Sequence, residues 1–173
     1  NALRALTEAA GLLKVAVEPE AVFNAPRWWE NQEVAELLQD SLLSLCARYL
    51  HDLREKDHAP LDPVARFHLG NGARIERLNW LGDTSAKGLQ ESCGLMVNYL
   101  YQLKDIEKNI ESYATSKAIA ASSQVRNLLR DDEEDETDDH LAHALLGFLG
   151  VLVHLRGAHE LLGIYGPVAV GVE

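Results

Sequence analysis

Leu61-Asp62-Pro63-Val64-Ala65-Arg66-Phe67-His68-Leu69-Gly70-Asn71-Gly72-Ala73 runs directly into Arg74-Ile75-Glu76-Arg77-Leu78-Asn79-Trp80. The first run has strand character, and it ends at Asn71-Gly72. That dipeptide readily takes the two positive-φ positions of a tight hairpin turn. The pattern therefore predicts a β-hairpin, with His68 three residues ahead of the turn and close to a fixed tip. A histidine on a rigid element can hold its proton where a reaction needs one.

Helical patterns flank this segment on both sides. Upstream, Leu3, Leu6, Ala10 and Leu13 recur at helical spacing, weakened by Gly11. Residues 15–30 read as irregular, with Pro19 and Pro26 around Phe23, followed by Trp28-Trp29. The tryptophan pair is favoured as a packing anchor over a ligand-lining role, because large aromatics dominate core burial. A strong helix is expected from Glu33 to Leu53, with Val34, Leu38, Leu42, Leu45 and Tyr49 on one stripe. Charged residues 52–58 and the prolines at 60 and 63 end it, and His51 and His58 read as solvated. Downstream, Asp83, Thr84 and Ser85 offer caps to a helix starting at Ala86, and one apolar face runs from Leu89 to Ile106. A further helix is expected from Ser116 to Arg130. The order is helix, long helix, hairpin, long helix, helix: an α+β arrangement with helices flanking a β-hairpin or sheet.

The formal charge of −11 is unevenly spread. Residues 1–130 hold 15 Lys/Arg against 17 Asp/Glu, whereas the last 43 residues hold one Arg and ten acids. No basic stripe is present to neutralise phosphates, which argues against nucleic acid as a partner. Residues 131–139 carry eight acids in nine positions and read as a solvated linker. The run from His140 to Leu155 is apolar but too soon interrupted by Arg156 to span a membrane, so 140–173 reads as a helical appendage. His140, His143, His154 and His159 lack the spacing of a zinc site, and no metal is expected. Cys46 and Cys93 fall within apolar patterns and read as buried free thiols of a reducing compartment. The chain opens on Asn1 without a visible targeting signal, so a fragment or processed chain of a cytoplasmic (or, in a eukaryote, organellar) protein is expected.

Taken together, four groups of residues carry a resemblance. Asp62 to Ala73 precedes Arg77-Leu78-Asn79-Trp80-Leu81-Gly82-Asp83-Thr84-Ser85. Lys87-Gly88-Leu89-Gln90 and Ser92-Cys93-Gly94-Leu95-Met96-Val97-Asn98-Tyr99-Leu100-Tyr101 follow. In order and spacing this resembles the C-terminal part of malonyl-CoA decarboxylase, tightly over about 45–125 and back to residue 1, with none seen beyond about 130. Residues 1–130 are accordingly expected to be a C-terminal portion of that catalytic domain.

The resemblance implies a partial acetyltransferase-like fold of the GNAT type. It also implies homo-oligomers of the intact protein, and conversion of malonyl-CoA to acetyl-CoA and carbon dioxide without a cofactor. It places the catalytic histidine at His68 and a site tyrosine at Tyr101. The family's catalytic serine lies in a Ser-x-x-Pro segment that this sequence does not contain. Ser41 and Ser44 sit in a helical run without a proline three residues on. The chain by itself is therefore expected to lack activity.

Without the motif, His68 would read as a satisfied core histidine. Asn71 fits the turn better than substrate contact, while Asn79 and Asn98 either satisfy buried backbone or touch substrate. A substrate-binding set of His68, Asn71 and Asn79 is nonetheless the one expected. The competing function is a non-catalytic decarboxylase-like module that binds or regulates a partner subunit. An acyltransferase is a third possibility, and fold analogy alone supports it.

Overall fold

The computed structural model describes residues 2–51 and 60–129. The acidic run, the histidines of 140–159, the apolar appendage and His58 lie outside them. The described elements, in chain order, are α1 (Ala2–Leu13), α2 (Pro19–Phe23), α3 (Gln32–His51), α4 (Pro63–Gly70), β1 (Arg74–Asn79), α5 (Ala86–Ser92), β2 (Met96–Leu100), α6 (Ile106–Ser116) and α7 (Ser123–Leu128). The architecture is α+β, as the pattern predicted. The elements differ from the expectation in three places, and the differences have local causes.

The segment before Asn71-Gly72 is a helix, not a strand, so there is no hairpin at that turn. Asp62 is the N-cap of α4, its backbone extended and its carboxylate accepting from the Ala65 N–H at 2.6 Å. Pro63 occupies the first turn, where its missing N–H costs nothing and its fixed φ suits a helix. At the other end, Gly72 (φ 86°) donates to Leu69 O at 3.0 Å, and Ala73 N–H donates to His68 O at 3.0 Å. These two bonds form a Schellman helix stop, with glycine at the left-handed position. Asn71-Gly72 thus ends a helix and feeds β1 without a reversal. A Cβ on Gly72 would also sit 2.8 Å from Ile106 O, so the close approach of α6 needs glycine too.

The expected long helix from Ala86 to Ile106 stops at Ser92. Ser85 caps its start by accepting from Gly88 N–H at 3.1 Å, as its sequence position predicted. Cys93 (φ 51°) and Gly94 (φ 78°) then both turn left-handed, and Gly94 N–H donates to Gly88 O. The chain leaves as β2, where Val97 and Tyr99 supply the branched and aromatic side chains that suit a pleated surface. The helix expected over 116–130 is displaced in the same way. Residues 106–116 form α6, the chain runs extended past Lys117, and Ser122 caps the short α7 by accepting from Val125 N–H.

β1 and β2 pair antiparallel, with Ile75 opposite Tyr99 and Asn79 opposite Met96. The register shifts between Ile75 and Arg77, so Glu76 is the extra residue of a bulge. That shift explains why Ile75 and Leu78, three apart rather than two, are the buried residues of β1. On its other side Ile75 bridges the 120–122 segment in parallel fashion. Its N–H donates to Ala120 O and its carbonyl accepts from Ser122 N–H, each at 2.9 Å.

The core forms between α1 and α3 and continues under the sheet. Leu6, Ala9 and Ala10 of α1 meet Val34, Leu38, Leu42 and Leu45 of α3, which form the stripe read from the sequence. Trp28 is fully buried, with Phe23, Trp29 and Trp80 around it at ring separations of 5.4–6.1 Å. The tryptophan pair is a packing anchor. Burying such a side chain contributes about 1.5–3 kcal/mol, and its aromatic contacts about another 0.5–1.5 each. Cys46 and Cys93 are free and buried, and burial pushes each thiol up to about 12, leaving little reactive thiolate near neutrality. Ser44 Oγ donates to Leu128 O at 2.7 Å, fastening α7 to α3. No helix among the described residues is long and apolar enough to cross a membrane.

Candidate active site

The last turn of α4 carries His68 toward β2. The imidazole is 7 % exposed, and its Nδ1 lies 2.8 Å from Tyr101 Oη. Tyr101 directly follows β2, whose alternation sets Val97, Tyr99 and Tyr101 on one side of the strand. Tyr99 lies under the histidine, with the two rings nearly parallel (16°) and their centroids 4.3 Å apart. Phe67 meets the imidazole edge-on at 5.3 Å and is itself 59 % exposed. One hydroxyl and one ring face thus hold His68 in place.

The direction of this hydrogen bond and the tautomer of His68 are tied to each other. When Tyr101 donates to Nδ1, a neutral His68 carries its proton on Nε2. When the ring is protonated at both nitrogens, Nδ1–H donates to Tyr101 instead. Burial lowers the His68 pKa below its ordinary value of 6.5, with no charged neighbour among the causes. Burial also raises the Tyr101 and Tyr99 hydroxyl pKa values, Tyr99 far above the usual 10, so both remain neutral phenols near neutral pH. Behind Tyr99 lie Asp62, Cys46 and Tyr49, whose charged forms would raise its pKa further. Tyr49 Oη is buried without a hydrogen-bond partner among the described residues.

The other candidate residues sit apart from this pair. Asn71 Nδ2 donates to Phe67 O at 2.8 Å, so its side chain reinforces the helix stop. Asn79 Nδ2 donates to Asn98 Oδ1 at 2.7 Å and to Met96 O at 3.3 Å, tying the two asparagines across the sheet. Asp83 Oδ1 accepts from Ser85 N–H at 2.9 Å, and Ser92 Oγ donates to Gly88 O, so both serve the ends of α5. Among the described residues no group of three or more His, Cys, Asp and Glu side chains gathers as a metal set. The sequence pattern does not single out Tyr99. The i, i+2 alternation ending at Tyr101 would have found it had 96–100 been read as strand.

The conserved-domain model described as the malonyl-CoA decarboxylase C-terminal domain matches residues 2–139. The chain belongs to that family. The mitochondrial malonyl-CoA decarboxylase of Rattus norvegicus is 44 % identical over 110 residues, which cover 64 % of this chain and 22 % of that protein. Its Mus musculus counterpart is 47 % identical over 102 residues, covering 59 % and 20 %. Two crystal structures of malonyl-CoA decarboxylases superpose on the chain. That from Rhodopseudomonas palustris does so at a TM-score of 0.60 with 44 % identity, covering 72 % of this chain and 27 % of that one. That from Agrobacterium vitis does so at 0.58 with 47 % identity, covering 67 % and 30 %. The chain thus spans about a fifth of the length of these curated malonyl-CoA decarboxylases, and under a third of the solved ones.

Proposed function

We propose that this chain contributes the proton-donating half of a malonyl-CoA decarboxylase site, releasing carbon dioxide and leaving acetyl-CoA. The supporting observation is the 2.8 Å contact between His68 Nδ1 and Tyr101 Oη. It brings together, across 33 residues of chain, the two side chains that the family's motifs mark. Losing carbon dioxide from a malonyl thioester leaves an enolate, so charge must be stabilised on the thioester oxygen and a proton delivered to carbon. Donors aimed at that oxygen contribute on the order of 3 kcal/mol each in a dry site. His68 gives the proton, and Tyr101 holds the imidazole so that the Nε2 proton is the one available. Asn71 and Asn79 are weaker members of the proposed substrate-binding set, because their amide groups already serve the helix stop and the sheet.

The serine expected to hold the malonyl group would come from another part of the enzyme. So would most of the coenzyme A contacts, in a GNAT-type catalytic domain of a homo-oligomer. Two antiparallel strands packed against helices are compatible with such a domain.

The test is carbon dioxide release from malonyl-CoA. It compares this chain alone, the chain with an upstream family fragment carrying the Ser-x-x-Pro segment, and the same pair with His68→Ala. Release only from the pair, falling about 10²–10⁴-fold in the variant, is the expected outcome for loss of a general acid. Folded, associated fragments that release nothing, or a variant as active as its parent, would remove the proposal.

A further inference from the structure

We propose that Tyr99 is a positioning residue for His68, its ring face fixing the plane of the imidazole and offering π-electron density to the protonated ring. The inference rests on the decarboxylase reading for its purpose and on geometry for its existence. The two rings are stacked at 4.3 Å and 16°, and Tyr99 is only 4 % exposed. Its place is set from behind, because Tyr99 pairs with the buried Ile75 across the sheet and Ile75 is held on its other edge by residues 120–122. The sheet thus fixes the backbone of Tyr99, and burial confines its ring against the histidine. Tyr101 supplies the in-plane hydrogen bond and Phe67 an edge. Only Tyr99 presents a parallel face.

A ring face carries the negative part of the aromatic quadrupole, so it attracts a cation placed over it, most strongly where water is excluded. The neutral imidazole gains much less from the same contact. A buried proton donor needs such a device: burial alone favours the neutral ring, which has one fewer proton to give. The groups in contact with His68 are the phenols of Tyr99 and Tyr101, both neutral near pH 7, and the edge of Phe67. The π face is then one feature that favours the imidazolium, beside the Tyr101 hydroxyl that can accept from Nδ1–H and the C-terminal end of α4.

The test is an NMR titration of the His68 ring carbon–proton signal in the whole 173-residue chain, assigned by its loss in His68→Ala. Tyr99→Leu keeps the site apolar but removes the face. At fixed pH it should lower the imidazolium-to-imidazole ratio about fivefold, moving the midpoint to lower pH. Tyr99→Phe keeps the face and should restore the midpoint. Should the leucine variant not fold, phenylalanines of increasing ring fluorination at position 99 keep the shape while draining the face. The midpoint should then fall stepwise with fluorine count. A midpoint unmoved or raised by leucine, indifferent to fluorination, or lowered equally by phenylalanine would overturn the proposal.

In the reconstituted decarboxylase, the leucine variant should lower kcat about fivefold above the midpoint with KM little changed, since a proton-transfer step rather than binding is affected. The titration needs neither substrate nor turnover, so its failure leaves the decarboxylase reading standing. An intact titration without carbon dioxide release would instead remove the catalytic purpose assigned to Tyr99.

Discussion

The proton that His68 can give away is decided by its neighbour. Tyr101 occupies Nδ1, so in the proposed reaction the proton delivered to carbon leaves from Nε2. Burial holds the histidine pKa below 6.5, and the pH dependence follows in sign. As the proposed acid, His68 is competent below its folded midpoint, and kcat/KM should fall as pH rises through it, tenfold per unit of pH at the limit. A pH–rate profile of the reconstituted enzyme checks this, and a rate that rises across the same window would exclude His68 as the donor. For folding the sign is opposite. The neutral ring is the one the buried site prefers, so its stabilising contribution is complete above 6.5 and is lost as pH falls through the folded midpoint. At this scale the buried free thiols and the Ser85 cap were legible. The family motif singled out His68 and Tyr101, which lie within hydrogen-bond distance, although His68 sits on a helix and not beside a hairpin tip. Tyr99 did not emerge, because its role depends on which ring faces which.

Among the elements, α4 makes the histidine available, and α4 is where the sequence was misread. Asn-Gly serves a hairpin and a helix stop equally well, since both need positive φ at glycine. The discriminating signal lay eight residues ahead of Asn71-Gly72 in Asp62-Pro63, an N-cap followed by an N1 proline. Strand-like composition around Val64 and Phe67 outweighed it only because local propensity is weak evidence in an eight-residue helix. Similarly, Cys93-Gly94 ends α5, although the apolar spacing continues through it and mimics one long helix. Asp62 bears the start of α4, and its removal should be felt there. Asp62→Ala should cost about 1–2 kcal/mol, read as a lower denaturant midpoint, whereas Asp62→Asn should lose less because the amide oxygen can still cap. Equal losses from both would mean that the carboxylate charge, not the cap, matters.

Across the whole molecule, the α+β class and the α1–α3 core were readable because helical apolar spacing survives any local ambiguity. Val34, Leu38, Leu42 and Leu45 needed no partner to be recognised as one face. The pairing of β1 with β2, and the parallel bridge from Ile75 to Ala121, were not readable. Both join residues far apart in sequence whose register depends on a single extra residue, Glu76. The proposed site inherits this limit, since the family motifs name its two members while only the packing of α4 beside the sheet sets them 2.8 Å apart.

The fastening of Ile75 by residues 120–122, and of Ser44 by Leu128, has a consequence for the order in which this protein can be made. The strand beneath the histidine is not fully bonded until a segment some 45 residues later has arrived, and α3 waits 84 residues for its contact with α7. Closing such distant pairs is slow relative to forming local helices. During synthesis α1 and α3 can collapse early, while His68 stays unframed until residues 120–129 leave the ribosome. Pulse-labelling hydrogen exchange during refolding should find the Ile75 and Ser122 amides becoming protected together, later than those in the middle of α3. Among the described residues, the candidate site is thus one of the last parts to take shape.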